Sequence, residues 1–386
     1  MNMKSKSTVF QLLPVLLGFF VMGFCDIVGI SSDYVQKTFN WSDTMTGFVP
    51  SMVFIWFLFL GIPVGNKMTR WGRKNTVLLS LGITVIGMFL PLISYNGAIC
   101  LVAFALLGIG NTILQVSLNP LLKNVLTNPK YLASGLTAGQ VVKALSSLAG
   151  PEIVLFALHY FGEEHWYYCF PILGIITLVS AIWLMSVHIE REQDAGETTS
   201  VKETWAILKD KTILLLFLGI FFIVGYDVAT NFISSKLMAE RFNWGPEQTK
   251  LAPQTYFLLR TIGAFAGTFF LTKVSEVKYF RVNILLALAS VIALIFIKVD
   301  YLDMALIGAL GFFGASVFPI IYAMALKDSP DKANQISGLM ITAIAGGAVI
   351  PPVIGFFMDL WGVTGGICVI LLCTVYLCHC AFHNKR

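Results

Sequence analysis

The chain has 386 residues, of which 57% are hydrophobic and only 12% are charged, and its mean hydropathy is +0.79. Ordinary soluble domains carry about 25% charged residues, so this composition excludes a pair of soluble domains and predicts an integral membrane protein. The net charge of +5 does not indicate nucleic-acid binding, because the basic residues lie in short loops between apolar runs rather than in one patch.

Apolar runs long enough to cross a bilayer, which takes about 20 residues, follow one another along the chain. The first run is longer than the h-region of a signal peptide, about 7–15 residues, and no small-residue cleavage site follows it. We therefore predict that it spans the membrane. An all-α protein with twelve transmembrane helices is predicted, at 8–31, 47–66, 75–95, 98–121, 132–157, 167–189, 212–236, 252–273, 281–299, 303–326, 336–359 and 364–383.

The distribution of lysine and arginine predicts the topology. Of the 26 basic residues, nineteen lie on the side of the N-terminus and five lie on the opposite side. The other two, Lys143 and Arg260, lie inside predicted spans. By the positive-inside rule, both termini are predicted to be cytoplasmic. We expect a monomeric, multi-pass protein of the cell inner (plasma) membrane, embedded in the lipid bilayer.

The longest hydrophilic segment, residues 190–211, divides the predicted spans into two groups of six. This predicts an N-terminal six-helix bundle at 1–189, a cytoplasmic linker at 190–211, and a C-terminal six-helix bundle at 212–386. Trp205 and Leu208 are three residues apart, so the second half of the linker could form a short interfacial helix with both on its apolar side.

Short matches at one offset indicate that the two halves are duplicated. Asn40, in TFNWSD, and Asn243, in RFNWGPEQ, are separated by the same distance in sequence as Ser134 and Ser337, which each begin a Ser-Gly-Leu tripeptide. Two parallel six-helix halves, related by an axis along the membrane normal, are typical of secondary transporters, whose substrate site lies between the halves near the midplane.

The loop between predicted spans 2 and 3 reads GNKMTRWGRK, residues 65–74. It resembles the signature of the major facilitator superfamily, in which a glycine is followed after three residues by Asp, Arg, any residue, Gly, Arg and a basic residue. Thr69 stands where the aspartate is usual, which weakens the charge relay that such an aspartate makes. The resemblance implies that this motif stabilises one gating state, through Gly65, Arg70, Gly72, Arg73 and Lys74.

Longer segments resemble the fucose permease and bacterial glucose/galactose transporter family. They are GIGNTILQVSLNP (108–120), IGAFAGTFFLTKV (262–274), FPIIYAMALKD (318–328) and SGLMITAIAGGAVIPPVIGFFMD (337–359). Paired glycines and prolines in the last segment favour close packing and a helix break. The resemblance implies the major facilitator fold and proton-coupled import of a neutral hexose or deoxyhexose.

Two departures from that family concern its acidic residues. Gln115 stands where the family has an acid four residues before the Asn-Pro of span 4; an amide can bond a hydroxyl but cannot carry a proton. Asp26 lies about one helical turn before the position of the family's span 1 aspartate, which keeps it on the same face. Proton coupling is therefore expected, although the acidic residues of this chain do not stand at the family's positions.

Charged residues inside the predicted spans form the expected proton-coupling network, because ionisable side chains at that depth are expensive and usually functional. Asp26 and Asp227 are approximate repeat mates, although each could instead be a helix-end residue wetted from outside. Lys143 is expected to pair with a carboxylate that takes up a proton, or else to be its static partner. For Arg260, which stays charged, ligand binding and a structural ion pair with Asp227 are both open.

Sugar recognition needs side chains that bond hydroxyls and have aromatic faces beside them. Any one such residue could instead join neighbouring helices, and Asn111 is a weaker amide candidate. The predicted substrate-binding residues are Trp56, Gln115, Asn119, Gln140, Tyr226, Asn231, Tyr256, Arg260 and Tyr322.

No cofactor or metal is expected. Cys378-His379-Cys380 ends the last predicted span, and no second pair of metal ligands lies nearby. The sequence contains no phosphate-binding loop, so transport driven by ATP is not expected. The predicted function is proton-driven import of a monosaccharide, and not catalysis. Two alternatives stay open. One is a transporter of an acidic sugar or other organic anion, neutralised by Lys143 and Arg260; the other is a non-concentrative sensor or lipid-handling protein on the same fold.

Overall fold

The computed structural model describes residues 3–27, 31, 34–35, 38–41, 43–126, 129–191, 200–245, 248 and 251–383. Every regular element in these ranges is a helix. The α-helices are α1 (Met3–Met22), α2 (Asp43–Trp71), α3 (Arg73–Ile93), α4 (Gly97–Val125), α5 (Leu132–Phe161), α6 (Cys169–Ser186), α7 (Val201–Ala206), α8 (Lys211–Phe242), α9 (Leu251–Phe270), α10 (Glu276–Phe296), α11 (Asp300–Gly314), α12 (Val317–Asp328), α13 (Ala333–Thr342) and α14 (Gly346–His383).

Ten stretches of the described chain are long and apolar enough to cross a membrane. They coincide with ten of the twelve predicted spans; the other two predictions, 8–31 and 252–273, fall on the shorter apolar helix Phe10–Cys25 and on α9. Large apolar side chains such as Ile93 and Phe296 are widely exposed, at 82% and 77%, as expected for helices whose outer faces meet lipid. The number twelve and the cytoplasmic termini stay predictions.

The predicted helix break in the 336–359 span is present. A 3₁₀ segment, Ala343–Ala345, separates α13 from α14 immediately before the glycine pair that begins at Gly346. α14 contains a second irregular point at Trp361 and Gly362, where the glycine adopts φ +62°. That point lies between the last two predicted spans, so α14 carries the second part of the 336–359 span and all of the 364–383 span.

The predicted linker helix is α7, and a capping box begins it. The Ser200 N–H donates to Glu203 Oε2 at 2.7 Å, and the Glu203 N–H donates to Ser200 Oγ at 3.2 Å, so each side chain satisfies a backbone donor at the helix start. These bonds hold the pKa of the Glu203 carboxyl below its ordinary value. Thr204 is buried and its Oγ1 donates to Asn66 Oδ1 of α2 at 2.7 Å. Trp205 is exposed.

The chain forms two compact units by internal proximity, and the division differs in two places from the predicted halves. Residues 130–138 belong to the second unit and residues 329–342 to the first. The duplicated bundles at 1–189 and 212–386 stay a prediction. Unit 1 comprises 1–129, 139–205 and 329–342, and unit 2 comprises 130–138, 206–328 and 343–386.

Glycines set the register of α2 and α4 in unit 1. A Cβ at Gly108 of α4 would lie 2.6 Å from Cα of Val53 in α2, so only glycine permits this approach. About two turns further along, Gly61 of α2 and Val116 of α4 both contact residues 337–338 of α13. α2 and α4 therefore run parallel, with 53 level with 108 and 61 level with 116.

A buried ion pair joins three helices in unit 2. Arg241 Nη1, at the end of α8, lies 2.8 Å from Asp303 Oδ2 in the first turn of α11, and the side chains are 7% and 0% exposed. The same nitrogen donates to the carbonyl of Leu294 in α10 at 2.7 Å. Because each charge of a buried pair depends on its partner, the pair fixes the end of α8 against α11.

Candidate functional site

Asp227, Tyr256 and Arg260 form one cluster in unit 2. Arg260 Nε lies 2.9 Å from Asp227 Oδ1, and the Tyr256 hydroxyl donates to the same oxygen. Tyr256 and Arg260 are four residues apart on α9, so both side chains reach α8 from one helix face. Of the two alternatives for Arg260, the ion pair with Asp227 is therefore present.

A glycine of α11 supports this cluster from behind. A Cβ at Gly311 would lie 2.5 Å from the carbonyl oxygen of Tyr256 and 3.3 Å from the amide nitrogen of Arg260. The close approach of α11 fixes the backbone turn that carries both side chains. The Tyr256 ring is buried at 1% exposure, whereas Arg260 and Asp227 are 37% and 28% exposed. The charged atoms are thus partly accessible, and the backbone that carries Tyr256 and Arg260 is closely packed against α11.

The two other predicted tyrosines lie in the interior of unit 2. Tyr226 is fully buried and its hydroxyl donates to the carbonyl of Leu310 at 2.8 Å. A Cβ at Gly314 would lie 2.8 Å from its ring. Tyr322 is also fully buried, with its ring 6.0 Å from that of Phe318. The structure therefore places both rings in helix packing.

The polar residues of α4 lie on one face in unit 1. Asn111, Gln115 and Asn119 are spaced four apart and are buried at 3%, 7% and 2% exposure. Asn119 Nδ2 donates to the carbonyl of Gln115 at 3.0 Å. On the basis of the register above, Trp56 of α2 lies level with Asn111. This face is therefore a line of amides.

The turn that carries Asp26 packs against the turn that carries Lys143. Asp26 lies in a 3₁₀ segment, Gly23–Ile27, and its side chain lies outside the described residues. A Cβ at Gly23 would lie 2.6 Å from the carbonyl oxygen of Lys143 and 2.7 Å from Cβ of Ser146. The structure thus brings the two backbones together. Gln140, one turn before Lys143, and Asn231 of α8 in unit 2 are half-buried.

Arg73 is the centre of the sequence motif at 65–74. Its Nε donates to Asn334 Oδ1 of α13 at 2.9 Å, and its Nη1 donates to Asn124 Oδ1 of α4. Asn334 Nδ2 in turn donates to Thr69 Oγ1 at 3.4 Å. A Cβ at Gly65 would lie 2.6 Å from the carbonyl oxygen of Asn334, which is why the motif needs glycine there. The sequence analysis missed Asn124 and Asn334.

The rest of the motif holds the turn between α2 and α3. Gly72 adopts φ +81°, a conformation that favours glycine, and its N–H donates to the carbonyl of Met68 at 2.7 Å. Lys74 Nζ donates to the carbonyl of Val187 at 2.6 Å, and the carbonyl of Arg70 accepts from Arg191. The motif therefore joins α2 and α3 to the end of α6.

Comparisons with known proteins agree with this architecture. The model of the Major Facilitator Superfamily matches residues 15–352. A glucose/galactose transporter of Brucella abortus biovar 1 (strain 9-941) is 26% identical over 394 residues, covering 96% of this chain and 93% of the relative.

Solved structures show the same fold. FucP in the outward conformation superimposes with a TM-score of 0.87 at 16% identity, covering 98% of this chain and 100% of that one; FucP is the fucose:proton symporter of E. coli. The proton:xylose symporter XylE bound to 6-bromo-6-deoxy-D-glucose gives a TM-score of 0.75 at 10% identity, covering 98% and 95%. With ten described stretches able to span a bilayer and a family match over most of its length, the chain is a multi-pass membrane protein that belongs to the Major Facilitator Superfamily.

Proposed function

We propose that this protein is a secondary active transporter that imports a monosaccharide, a hexose or deoxyhexose, by proton symport. It acts as a twelve-span monomer in the inner (plasma) membrane, with both termini cytoplasmic. The names of its relatives support sugar and proton as co-substrates. The observation that carries the proposal is the partly exposed cluster of Asp227, Arg260 and Tyr256.

Protonation of Asp227 is the proposed coupling event in unit 2. A proton on the carboxylate removes its negative charge, and the attraction to Arg260 at 2.9 Å falls with it. Arg260 keeps its own charge at every physiological pH, so its donors turn from the carboxylate to hydroxyls of the sugar. The Tyr256 hydroxyl stays beside Asp227 and orients the protonated group.

A neutral substrate fits this cluster better than an anionic one. Asp227 already balances the charge of Arg260 without any substrate. An acidic sugar would have to displace that carboxylate or bring a further cation, whereas a neutral sugar exchanges hydrogen bonds without adding charge. Transport of an acidic sugar is therefore an outcome of the test below, not a second proposal.

In unit 1, the proposed sugar contacts are the amides of Gln115, Asn119 and Gln140, together with Trp56. Asn231 is a proposed sugar contact of unit 2. Asp26 and Lys143 form a second proposed charge pair, supported by the packing of their two backbone turns. The proposed transport cycle is alternating access, and the motif at 65–74 is proposed to stabilise one of its end states. The cycle uses the proton gradient and requires no cofactor.

Uptake into proteoliposomes tests the proposal. Purified full-length protein is reconstituted, an inward proton gradient is imposed, and uptake of D-glucose, D-galactose and L-fucose is measured with and without a protonophore. We expect accumulation of at least one neutral sugar that the protonophore abolishes. Accumulation confined to D-glucuronate or D-galacturonate would replace the proposed substrate class. A carrier that accumulates none of them would exclude the symporter.

A further inference from the structure

The end of α11 contacts both helices that form the Asp227–Arg260 ion pair. On the α8 side, Tyr226 directly precedes Asp227, is fully buried, and its hydroxyl donates to the carbonyl of Leu310 at 2.8 Å. A Cβ at Gly314, where α11 ends, would lie 2.8 Å from Cε1 of the same ring. The residue before the carboxylate is therefore held against α11 by one hydrogen bond and one close packing contact.

The next residue of α11 contacts the other side of the pair. Gly311 follows Leu310 in sequence, and a Cβ at Gly311 would lie 2.5 Å from the carbonyl oxygen of Tyr256 and 3.3 Å from the amide nitrogen of Arg260. A larger residue fits here only if one of the two backbones shifts, because packed interiors leave no spare volume. Two successive residues of α11 thus contact the two helices whose charged side chains meet at 2.9 Å.

We propose that Tyr226 and Gly311 are positioning residues: they set the separation of the carboxylate and the guanidinium in this pair, and through it the proton concentration at which the carrier takes up its proton. This inference rests on the proposed function. An opposite charge within about 4–6 Å favours the ionised form of a carboxylate, and the attraction falls with distance. Because the pair is already at hydrogen-bonding distance, displacement of either helix weakens it.

Among the residues that the structure describes, the charged and titratable groups beside Asp227 come from α9 and from α8 itself. They are Tyr256, Arg260 and Tyr226. Two other helices packed against α8 bring apolar contacts to it, Ile350 of α14 beside Gly225 and Ile321 of α12 beside Gly219. The Tyr226 hydroxyl bonds a carbonyl and not the carboxylate, so its removal acts on Asp227 through position.

Sugar counterflow at equal pH inside and outside the vesicles tests the inference, because no proton gradient then drives the exchange. Purified full-length protein is reconstituted, and exchange of D-glucose, D-galactose and L-fucose is measured over a range of pH. In the proposed cycle Arg260 binds the sugar only after Asp227 is protonated, so exchange by the wild type should fall through a midpoint as pH rises. Asp227→Asn should remove this midpoint, and a midpoint that persists there would overturn the inference.

Two variants displace the pair without changing its charges. Tyr226→Phe deletes the bond to Leu310 and keeps the ring, and Gly311→Ala displaces the turn that carries Arg260. A carboxylate that is less firmly held in its ionised form accepts a proton at a lower proton concentration. Each variant should therefore move the midpoint to higher pH by about 0.5–1 unit, a gain in proton affinity of roughly 3- to 10-fold, which is the effect of about one hydrogen bond.

Tyr376→Phe and Gly346→Ala are the matched controls in unit 2. The Tyr376 hydroxyl likewise donates to a carbonyl of α8, that of Leu215, at 3.3 Å, and a Cβ at Gly346 would clash with the carbonyl oxygen of Phe221. These two carbonyls precede Asp227 by about 18 Å and about 9 Å along α8. Both controls should lower Tm and keep the wild-type midpoint.

Tyr226→Phe decides the outcome, because it removes one oxygen atom and keeps the packing of the ring. A midpoint in Tyr226→Phe that is unchanged or moves to lower pH would overturn the inference and leave the proposed function standing. An equal upward shift in the controls would also overturn it, because the midpoint would then follow stability and not the geometry of the pair. A wild-type protein that exchanges none of the sugars would overturn both.

Discussion

Replacing Asp227 with asparagine removes the charge of the unit 2 cluster while keeping its shape. The amide oxygen still accepts from Tyr256, but Arg260 loses the carboxylate that lies 2.9 Å from its Nε. Exposed ion pairs contribute about 0.2–1 kcal/mol, and losing one partner of a fully buried pair costs about 3–5 kcal/mol. At 37% and 28% exposure, solvent screens this pair. We therefore expect the variant to lose about 1–2 kcal/mol of the free energy that this ion pair contributes, which is a factor of about 5–30 in an equilibrium constant.

Two transport assays separate coupling from binding in this variant. Accumulation driven by an imposed proton gradient needs a group that takes up the proton, and asparagine cannot do so. Counterflow, in which unlabelled sugar inside exchanges for labelled sugar outside, needs only binding and the conformational change. We expect Asp227→Asn to lose accumulation to the level of protonophore-treated wild type, while counterflow persists with an affinity changed by no more than about 30-fold.

Unit 2 supplies a matched control. Glu276 and Lys327 form an ion pair at 2.7 Å with 20% and 29% exposure, close to the values for the Asp227 pair. Glu276→Gln should therefore lose a similar amount of stability and keep gradient-driven accumulation. Undiminished accumulation by Asp227→Asn would refute the reasoning, and equal loss in both variants would reduce Asp227 to a structural partner.

Three further predictions concern stability. Asp303→Asn leaves the Arg241 charge buried without its partner, and we expect a loss of about 3–5 kcal/mol, seen as a lower Tm; an unchanged Tm would contradict the buried pair. Gly338→Ala places a Cβ 2.7 Å from a backbone oxygen of α2 and should cost about 1–3 kcal/mol, whereas Gly82→Ala, which has open space, should not lower Tm. The Glu203 pKa is lowered in the folded protein by its bonds to Ser200, so the cap is fully present at neutral pH and is lost as pH falls through that lowered pKa. In that pH range the protection of the Ser200 amide against hydrogen exchange, measured relative to its intrinsic rate, should fall. Glu203→Gln should remove this pH dependence of the protection.

Local sequence patterns predicted most of the helices. A membrane span is recognised by its own composition, so ten of the predicted spans needed no tertiary information. The two others fall on α9, which carries Arg260, and on the shorter apolar helix Phe10–Cys25, which ends one residue before Asp26. The charge of Arg260 lowers the hydropathy of α9.

Pairing between distant residues was predictable only where charge demanded it. Asp227 and Arg260 are both expensive in a membrane, and their ion pair was one of two stated alternatives. Asn334 and Asn124 carry no charge and lie in ordinary helix ends, so nothing in the sequence marked them as partners of Arg73. Among the described residues, the side chain of Asn111 has no hydrogen-bond partner, and this depends on tertiary packing that the sequence does not show.

The substitution of threonine for the usual acid at position 69 has a consequence for how this carrier responds to its surroundings. The bonds that join Arg73, Asn334, Asn124 and Thr69 end on amide and hydroxyl oxygens, which neither titrate in the physiological range nor attract counter-ions as a carboxylate does. The strength of these bonds should therefore be nearly constant across changes in pH and ionic strength.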